Sequence, residues 1–416
     1  MLTKLLLKHI YDQQQEVIGI DNELDRTSAI SLLPPKTAFA RIITGVRRCG
    51  KSTLLRQILK KTYPRGFLFN FDDPRLVGFT VADFELLDEL IEDEHATALF
   101  FDEIQLIPHW ELYIKQKLDA KVPVYLTGSN AALLSQELGT MLTGRHLDTV
   151  LYPFSYKEYC SFMKAEIGLQ SFSSFLQDGG FPVYLQFKDP QILTALFSDI
   201  IYRDIVTRYN LKQAKHLKLL AIFLLSNVGS QVSANRLVSV AQVKTAKTIL
   251  EYFSYLEVTY LFAFVYKFDY SLRAQINAPR KVYAIDTALI QNLSANVTLD
   301  QGHIMENAVY LELCRHFSHI YYFRAPVSNG TQGNEAECDF ICWNEVKIKS
   351  AIQVCYEWTA EVRYREIRGV LAAMDFFHLG EGTIVTLKDK DSLFDNGRKI
   401  KVIPAAEWFF GTFPQS

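Results

Sequence analysis

The stretch RIITGVRRCGKSTLLRQIL, residues 41–59, decides how the chain is read. Arg41 to Thr44 is a short run with β-branched residues, of the kind that forms a buried strand. Gly45-Val46-Arg47-Arg48-Cys49-Gly50-Lys51-Ser52 fits G-x-x-x-x-G-K-[ST] in full. From Thr53 to Lys60 the leucines 54, 55 and 59 and Ile58 fall at helical spacing. Strand, glycine-bracketed loop and helix is the setting of a phosphate-binding loop. Glycines let backbone N–H groups turn inward around an anion, and the helix N-terminus adds a favourable field. Lys51 is placed to reach the β- and γ-phosphates and the Ser52 hydroxyl to ligate Mg²⁺, with Thr53 closing the binding segment. ATP and Mg²⁺ are therefore the expected cofactors.

A second element tests that expectation. His95 to Asp102 (HATALFFD) is an apolar run ending in Asp102 and Glu103. An aspartate at the tip of a buried parallel strand serves as the second Mg²⁺ anchor, and the adjacent Glu103 is placed to polarise a water for attack on the γ-phosphate. Taken alone, the pair reads equally well as an acidic turn after a core strand; it gains meaning beside Lys51. Gly66–Phe71 reads as a strand and the acidic segment 83–94 as a solvated helix, which puts Asp102 on the third strand. That order belongs to the NTPase division that uses a catalytic glutamate. A fourth strand, Val122–Leu126, leads to Thr127-Gly128-Ser129-Asn130. Asn130 and Ser129 are candidates to contact the γ-phosphate or the attacking water, or else helix N-caps for 131–138. Arg145 is a candidate neutralising arginine for a neighbouring subunit's nucleotide, or an ordinary surface arginine.

Composition sets the bounds. A chain of 416 residues is too long for one typical core, so two or three domains are expected. Its net charge of −2 means that any nucleic-acid role must come from a local patch. Six scattered cysteines suit a reducing compartment better than a disulfide framework. The start, MLTKLLLKHIYDQQQ, is too short and polar for a secretory signal, and the longest apolar run, LLAIFLLS at 219–226, falls far below a membrane span. The expectation is a soluble, cytoplasmic protein.

These residues carry a resemblance. GVRRCGKSTLL, FNFDDPRL (69–76), LFFDEIQ (99–105), TGSN (127–130), LTGRHLDTVLYPFSYKEY (142–159), IIYRDIVTRY (200–209) and RKVYAIDTALI (280–290) resemble prokaryotic AAA+-type ATP-binding proteins with a C-terminal domain of unknown function. GHIMENAVYLEL (302–313) and AECDFICW (336–343) extend the likeness over nearly the whole chain. The resemblance implies an α/β protein. A P-loop NTPase core with a parallel sheet, AAA+-like, would occupy residues 1–160. A helical, winged-helix-like region (161–298) and a C-terminal α/β nuclease-like domain (299–416) would follow.

Pro153 marks the end of the core, and SFSSF with DGGFP (178–182) reads as irregular connection. Between residues 200 and 250 there are eight Lys or Arg and one acid, Asp204. Val243–Leu256 reads as a recognition-type helix with a wing at 257–268, which would allow double-stranded DNA as a partner. The competing reading is a helical lid with its lysines in water. Restriction-type nucleases arrange a helix-borne glutamate, an aspartate and E-x-K around Mg²⁺. Here Glu306 and Asp339 keep their places, but Gln353 and Cys355 replace the glutamate and lysine. The expectation is a degenerate site, joined by Glu337, with Lys347 or Lys349 as a displaced lysine. Cys338, Cys342 and Cys355 read as small core residues or, alternatively, as zinc ligands. The leading functional reading is a Mg²⁺-dependent ATPase serving as a switch or motor for a C-terminal partner-binding module, with a protein partner and homo-oligomerisation both open. Its alternatives are an ATP-regulated DNA-binding protein with little turnover and an ATP-controlled nuclease.

Overall fold

Arg41–Thr44 does form a strand. β1 (Ala40–Thr44) is buried along its whole length, as an inner strand of a five-stranded sheet. The computed structural model describes residues 2–16, 24–26, 37–129, 144–295, 299–325, 336–344, 347–395 and 397–411. By internal packing the chain falls into two units, residues 1–152 with 258–260, and residues 153–257 with 261–416.

In the first unit, α1 (Lys4–Glu16) precedes β1, and α2 (Lys51–Thr62) follows it. Then come β2 (Gly66–Asn70), α3 (Phe84–Asp93), β3 (Ala98–Asp102), α4 (Trp110–Asp119), β4 (Val124–Gly128) and β5 (His146–Val150). The strand order is β2-β3-β4-β1-β5 and every pairing is parallel. Buried Phe67, Phe69, Phe71 and Phe101 fill one face with Leu7, Ile10 and Tyr11 of α1, Tyr11 stacking on Phe67. The acidic run on α3 is more than a solvated face. Its Phe84, Leu87 and Leu90 turn inward, Lys4 pairs with Glu89 and Asp93, and Lys8 with Glu94 just past the helix end. β4 begins and ends two residues later than the expected 122–126, so Thr127 and Gly128 belong to the strand.

In the second unit, α5 (Tyr156–Met163), α6 (Leu169–Asp178), α7 (Pro182–Phe187) and α8 (Pro190–Asp199) run into a π-helical stretch, Ile200–Thr207. α6 corrects the expectation that SFSSF is irregular. Phe172, Phe175 and Leu176 sit at helical spacing and are buried, and the buried Ser171 hydroxyl meets the Tyr156 hydroxyl at 2.7 Å. Only the Gly179-Gly180 break that follows is a connection.

α9 (Ala214–Leu225), β6 (Gln231–Val232), α10 (Ala234–Val240), α11 (Ala246–Val258), β7 (Phe262–Val265), α12 (Leu272–Asn277) and β8 (Arg280–Ala284) come next. The three strands form an antiparallel sheet in the order β6-β8-β7. The expected recognition-type helix is thus α11. It starts at Ala246 because the Thr245 hydroxyl accepts the Thr248 N–H at 3.3 Å.

α13 (Thr287–Leu293) and α14 (Gln301–Leu313) lead to β9 (His319–Arg324), β10 (Glu337–Asn344), β11 (Lys347–Cys355), α15 (Ala360–Phe377), β12 (Glu381–Thr386), β13 (Asp391–Asp395), β14 (Arg398–Pro404) and α16 (Ala405–Trp408). The strands make a mixed sheet, β13-β14-β12-β11-β10-β9, with β11, β12 and β14 parallel. α15 lies directly on it: a Cβ at Gly369 would run into the backbone carbonyl of Glu337. Buried Asp286 caps α13 through the Ala288 N–H (2.9 Å) and also takes the Gly180 N–H (2.6 Å). Among the described residues no helix is long and apolar enough to cross a membrane.

Candidate nucleotide site

The loop between β1 and α2 lies where the chain leaves β1 for the far strands on one side and later returns as β5 on the other. In open parallel sheets, ligands bind at such a switch point, beyond the carboxyl ends of the strands. Gly45 has φ 141°, and a Cβ there would collide with the Leu151 carbonyl. Gly50, at the N-cap of α2, has φ 105°. Neither conformation suits an L side chain, so the two glycines shape a backbone cradle of the kind that fits a phosphate chain. The Cys49 thiol donates to the Leu151 carbonyl at 3.2 Å, which anchors the loop from below.

Lys51 is 5% exposed and folds back over this loop, its ammonium donating to the Gly45 and Val46 carbonyls at 3.0 Å each. A phosphate laid across the loop competes for the same protons. Ser52 is half-buried in the first turn of α2, and Arg47, Arg48 and Thr53 flank the cradle. Arg26 was not foreseen. It donates to the Cys49 carbonyl (2.9 Å) and the Tyr152 carbonyl (3.0 Å), while the Gln57 side chain holds its own N–H.

Asp102 and Glu103 sit at the carboxyl end of β3, one strand removed from β1. Buried Asp102 accepts the Thr127 hydroxyl proton, and the Thr127 oxygen in turn accepts the Glu103 N–H at 3.0 Å. Glu103 has φ 53°, a left-handed conformation that costs a non-glycine residue roughly 1–3 kcal/mol. Gln105 donates to its carboxylate, and the Ser129 hydroxyl lies 3.4 Å away. Burial pushes the Glu103 carboxyl above the usual range and Asp102 adds to that, while Lys51, Gln105 and Arg47 pull the other way. Lys51 and the acidic pair therefore share one electrostatic neighbourhood. Asn130 lies outside the described residues. Arg145 is not brought to this site. It precedes β5, its carbonyl accepting the N–H of Ala40 at the start of β1, at the opposite end of the sheet from the cradle. There it pairs with Asp119 at 2.6 Å.

The second unit holds the other expected cluster, and Glu306, Asp339 and Gln353 do come together. The Gln353 amide oxygen accepts the Asp339 N–H (3.1 Å), and its nitrogen donates to Glu366 (2.6 Å). The cation among them is Lys281 of β8. Its ammonium donates to Glu306 (3.0 Å) and Asp339 (2.8 Å) and pairs with Glu337 (2.9 Å). The side chains of Lys347 and Lys349, proposed from the sequence for that place, lie outside the described residues. Cys338, Cys342 and Cys355 are buried, and burial pushes all three thiols up.

A glycine-bracketed cradle at the switch point of a parallel β2-β3-β4-β1-β5 sheet, with an acidic pair one strand away, defines the first unit as a P-loop core of AAA+ type. Comparison with known proteins agrees at the level of domains. Residues 38–160 match the AAA domain family. Residues 169–300 match a domain of unknown function, DUF8612. The chain is 29% identical to an uncharacterised protein of Methanocaldococcus jannaschii, over 97% of its own length and 95% of that protein's. It is also 29% identical to an uncharacterised protein of Haemophilus influenzae, over 67% of this chain and 75% of that one. Two solved structures show a loose likeness. AMPPCP-bound DnaA from Aquifex aeolicus is 14% identical, with a TM-score of 0.29 over 61% of this chain and 91% of that one. The Aeropyrum pernix Orc1 protein in complex with DNA is 11% identical, with a TM-score of 0.27 over 73% and 92%. Superpositions that loose carry no argument about this chain.

Proposed function

We propose that the first unit binds ATP with Mg²⁺ and hydrolyses it, and that turnover drives a switch or motor acting on a partner of the second unit. The carrying observation is the shared setting of Lys51 and the Asp102–Glu103 pair. Loop N–H groups and Lys51 bind and orient the β- and γ-phosphates. Ser52 and Asp102 supply the hard oxygen donors that suit Mg²⁺, and the ion, when bound, neutralises charge developing on the phosphates. Glu103, raised by burial yet held by Gln105, accepts the proton of the attacking water.

For the second unit, helices α9–α11 with the β6-β8-β7 sheet suggest a winged-helix-like module, and the mixed sheet with Glu306, Asp339 and Gln353 a degenerate nuclease-like one. Limits of 1–160, 161–298 and 299–416 remain our division by function. The deciding experiment is single-turnover hydrolysis of radiolabelled ATP by the native chain and Glu103→Gln. Native turnover with retained but uncleaved ATP in the variant supports the reading; a native chain that binds ATP and never cleaves it leaves ATP as a regulatory ligand.

A further inference from the structure

Three carboxylates in the second unit point at one place. Glu306 comes from α14, and Glu337 and Asp339 from β10, yet one oxygen of each lies 2.8–3.0 Å from the same Lys281 nitrogen. An ammonium has three protons to give, and here it has three separate carboxylate acceptors. The residues around this point hold it firmly. The second Asp339 oxygen accepts the Val354 N–H (3.0 Å), the Tyr283 hydroxyl donates to Glu306 (2.5 Å), and Arg324 donates to Glu337 (2.9 Å). Lys281 is 3% exposed and lines an open cavity of about 620 Å³.

Three carboxylates face two cations, Lys281 and Arg324. That surplus of negative charge, together with burial, accounts for a Glu306 carboxyl pushed up to about 7 by burial first and Asp339 second. Such a cluster does not stand without a cation at its centre, because an unpaired buried charge costs several kcal/mol. A divalent ion would hold its oxygens at about 2.0–2.1 Å for Mg²⁺, well inside the spacing seen around Lys281. In keeping with that wider spacing, no group of three His, Cys, Asp or Glu among the described residues is arranged to hold a metal.

We propose that Lys281 is the resident cation of this cluster, standing where a hydrated divalent ion would otherwise sit, so that the native site is closed to metals and opens when the lysine is removed. The inference does not depend on ATP turnover. It also assigns Lys281 a joining role: β8 belongs to the small antiparallel sheet, whereas its three acceptors belong to α14 and the mixed sheet.

The test is Mn²⁺ titration followed by electron paramagnetic resonance on the nucleotide-free full chain. Lys281→Ala is expected to gain one Mn²⁺ site at least about tenfold tighter than any in the native chain. The double variant Lys281→Ala/Asp339→Asn should lose it, and Lys281→Arg should never acquire it. If Lys281→Ala does not fold, adding Mn²⁺ during refolding should recover its native circular dichroism, and failure to recover overturns the proposal. So does a folded Lys281→Ala that gains no site, or a native chain whose Mn²⁺ binding disappears in Asp339→Asn. Plasmid cleavage by the native chain with Mn²⁺, lost in Lys281→Ala, would make the lysine catalytic and also overturn it.

Discussion

The Thr127 hydroxyl of β4 donates to the Asp102 carboxylate of β3, and the same oxygen accepts the next residue's N–H, that of Glu103. One side chain thus orients the expected metal-anchoring carboxylate and holds the strained turn that aims the expected base. Thr127→Val removes both contacts while keeping the shape. A buried polar group left without a partner costs about 1–3 kcal/mol, so a lowered melting temperature and weaker Mg²⁺-dependent ATP affinity are expected. Thr127→Ser should restore most of both. A valine variant that matches the native chain in melting and binding would remove Thr127 from the site.

In the proposed site Lys51 would give the phosphates a full charge that no neighbour replaces from the same position. Lys51→Ala should weaken ATP binding by one to several orders of magnitude, each tenfold step being about 1.4 kcal/mol. Titration calorimetry with Mg²⁺ present is the measurement. Unchanged affinity would sink the phosphate-loop assignment.

The buried setting of Glu103 predicts a pH profile. Its carboxyl is raised, so the deprotonated, base-competent form is reached only above the ordinary carboxylate range of about 4.3. ATP turnover should therefore fall as the pH drops through a value higher than that, and recover above it. Gln105→Leu removes a contact that favours the charged form and should move the acid limb further up. Glu103→Gln should cut turnover roughly a hundredfold or more with ATP still bound. An acid limb at the ordinary carboxylate value in both native and Gln105→Leu chains would argue that Glu103 is not the titrating base.

Lys244 and Lys247 are both exposed, one just before and one inside α11. If this region meets duplex DNA, affinity should fall steeply with salt as counterions are released, and Lys244→Glu with Lys247→Glu should flatten that slope by about two phosphate contacts. Fluorescence anisotropy at several salt concentrations, with ATP or ADP present, decides it. No binding at low salt favours the helical lid.

What the sequence made legible was chemistry that lies within a few residues along the chain. Gly45 to Ser52 can be read because the loop, its glycines and its lysine are contiguous, and Asp102 because an apolar run of strand length ends on it. Thr127 as partner of Asp102 was hidden, since that contact depends on the register of β3 against β4. Lys281 was missed for the same kind of reason. The E-x-K pattern points to a lysine near Gln353, whereas the fold delivers one from β8, where it reads as an ordinary strand residue in RKVYA. The serines of SFSSF suggested a loop, but Phe172 and Phe175 were already at helical spacing, and burial of Ser171 against Tyr156 is a tertiary fact.

Residues Val258–Tyr260 pack with the first unit although both their chain neighbours belong to the second, and Tyr260 donates its hydroxyl to Thr44, the last residue before the phosphate loop, at 2.8 Å. The polypeptide therefore switches from one unit to the other three times, and no single scission can part them. A fragment ending at Tyr152 would lack three of its own residues and the hydroxyl at the root of its loop. Dissection of this protein by simple truncation is thus expected to yield a nucleotide fragment weaker than the intact chain, and grafting 258–260 back through a short linker is the way to recover it.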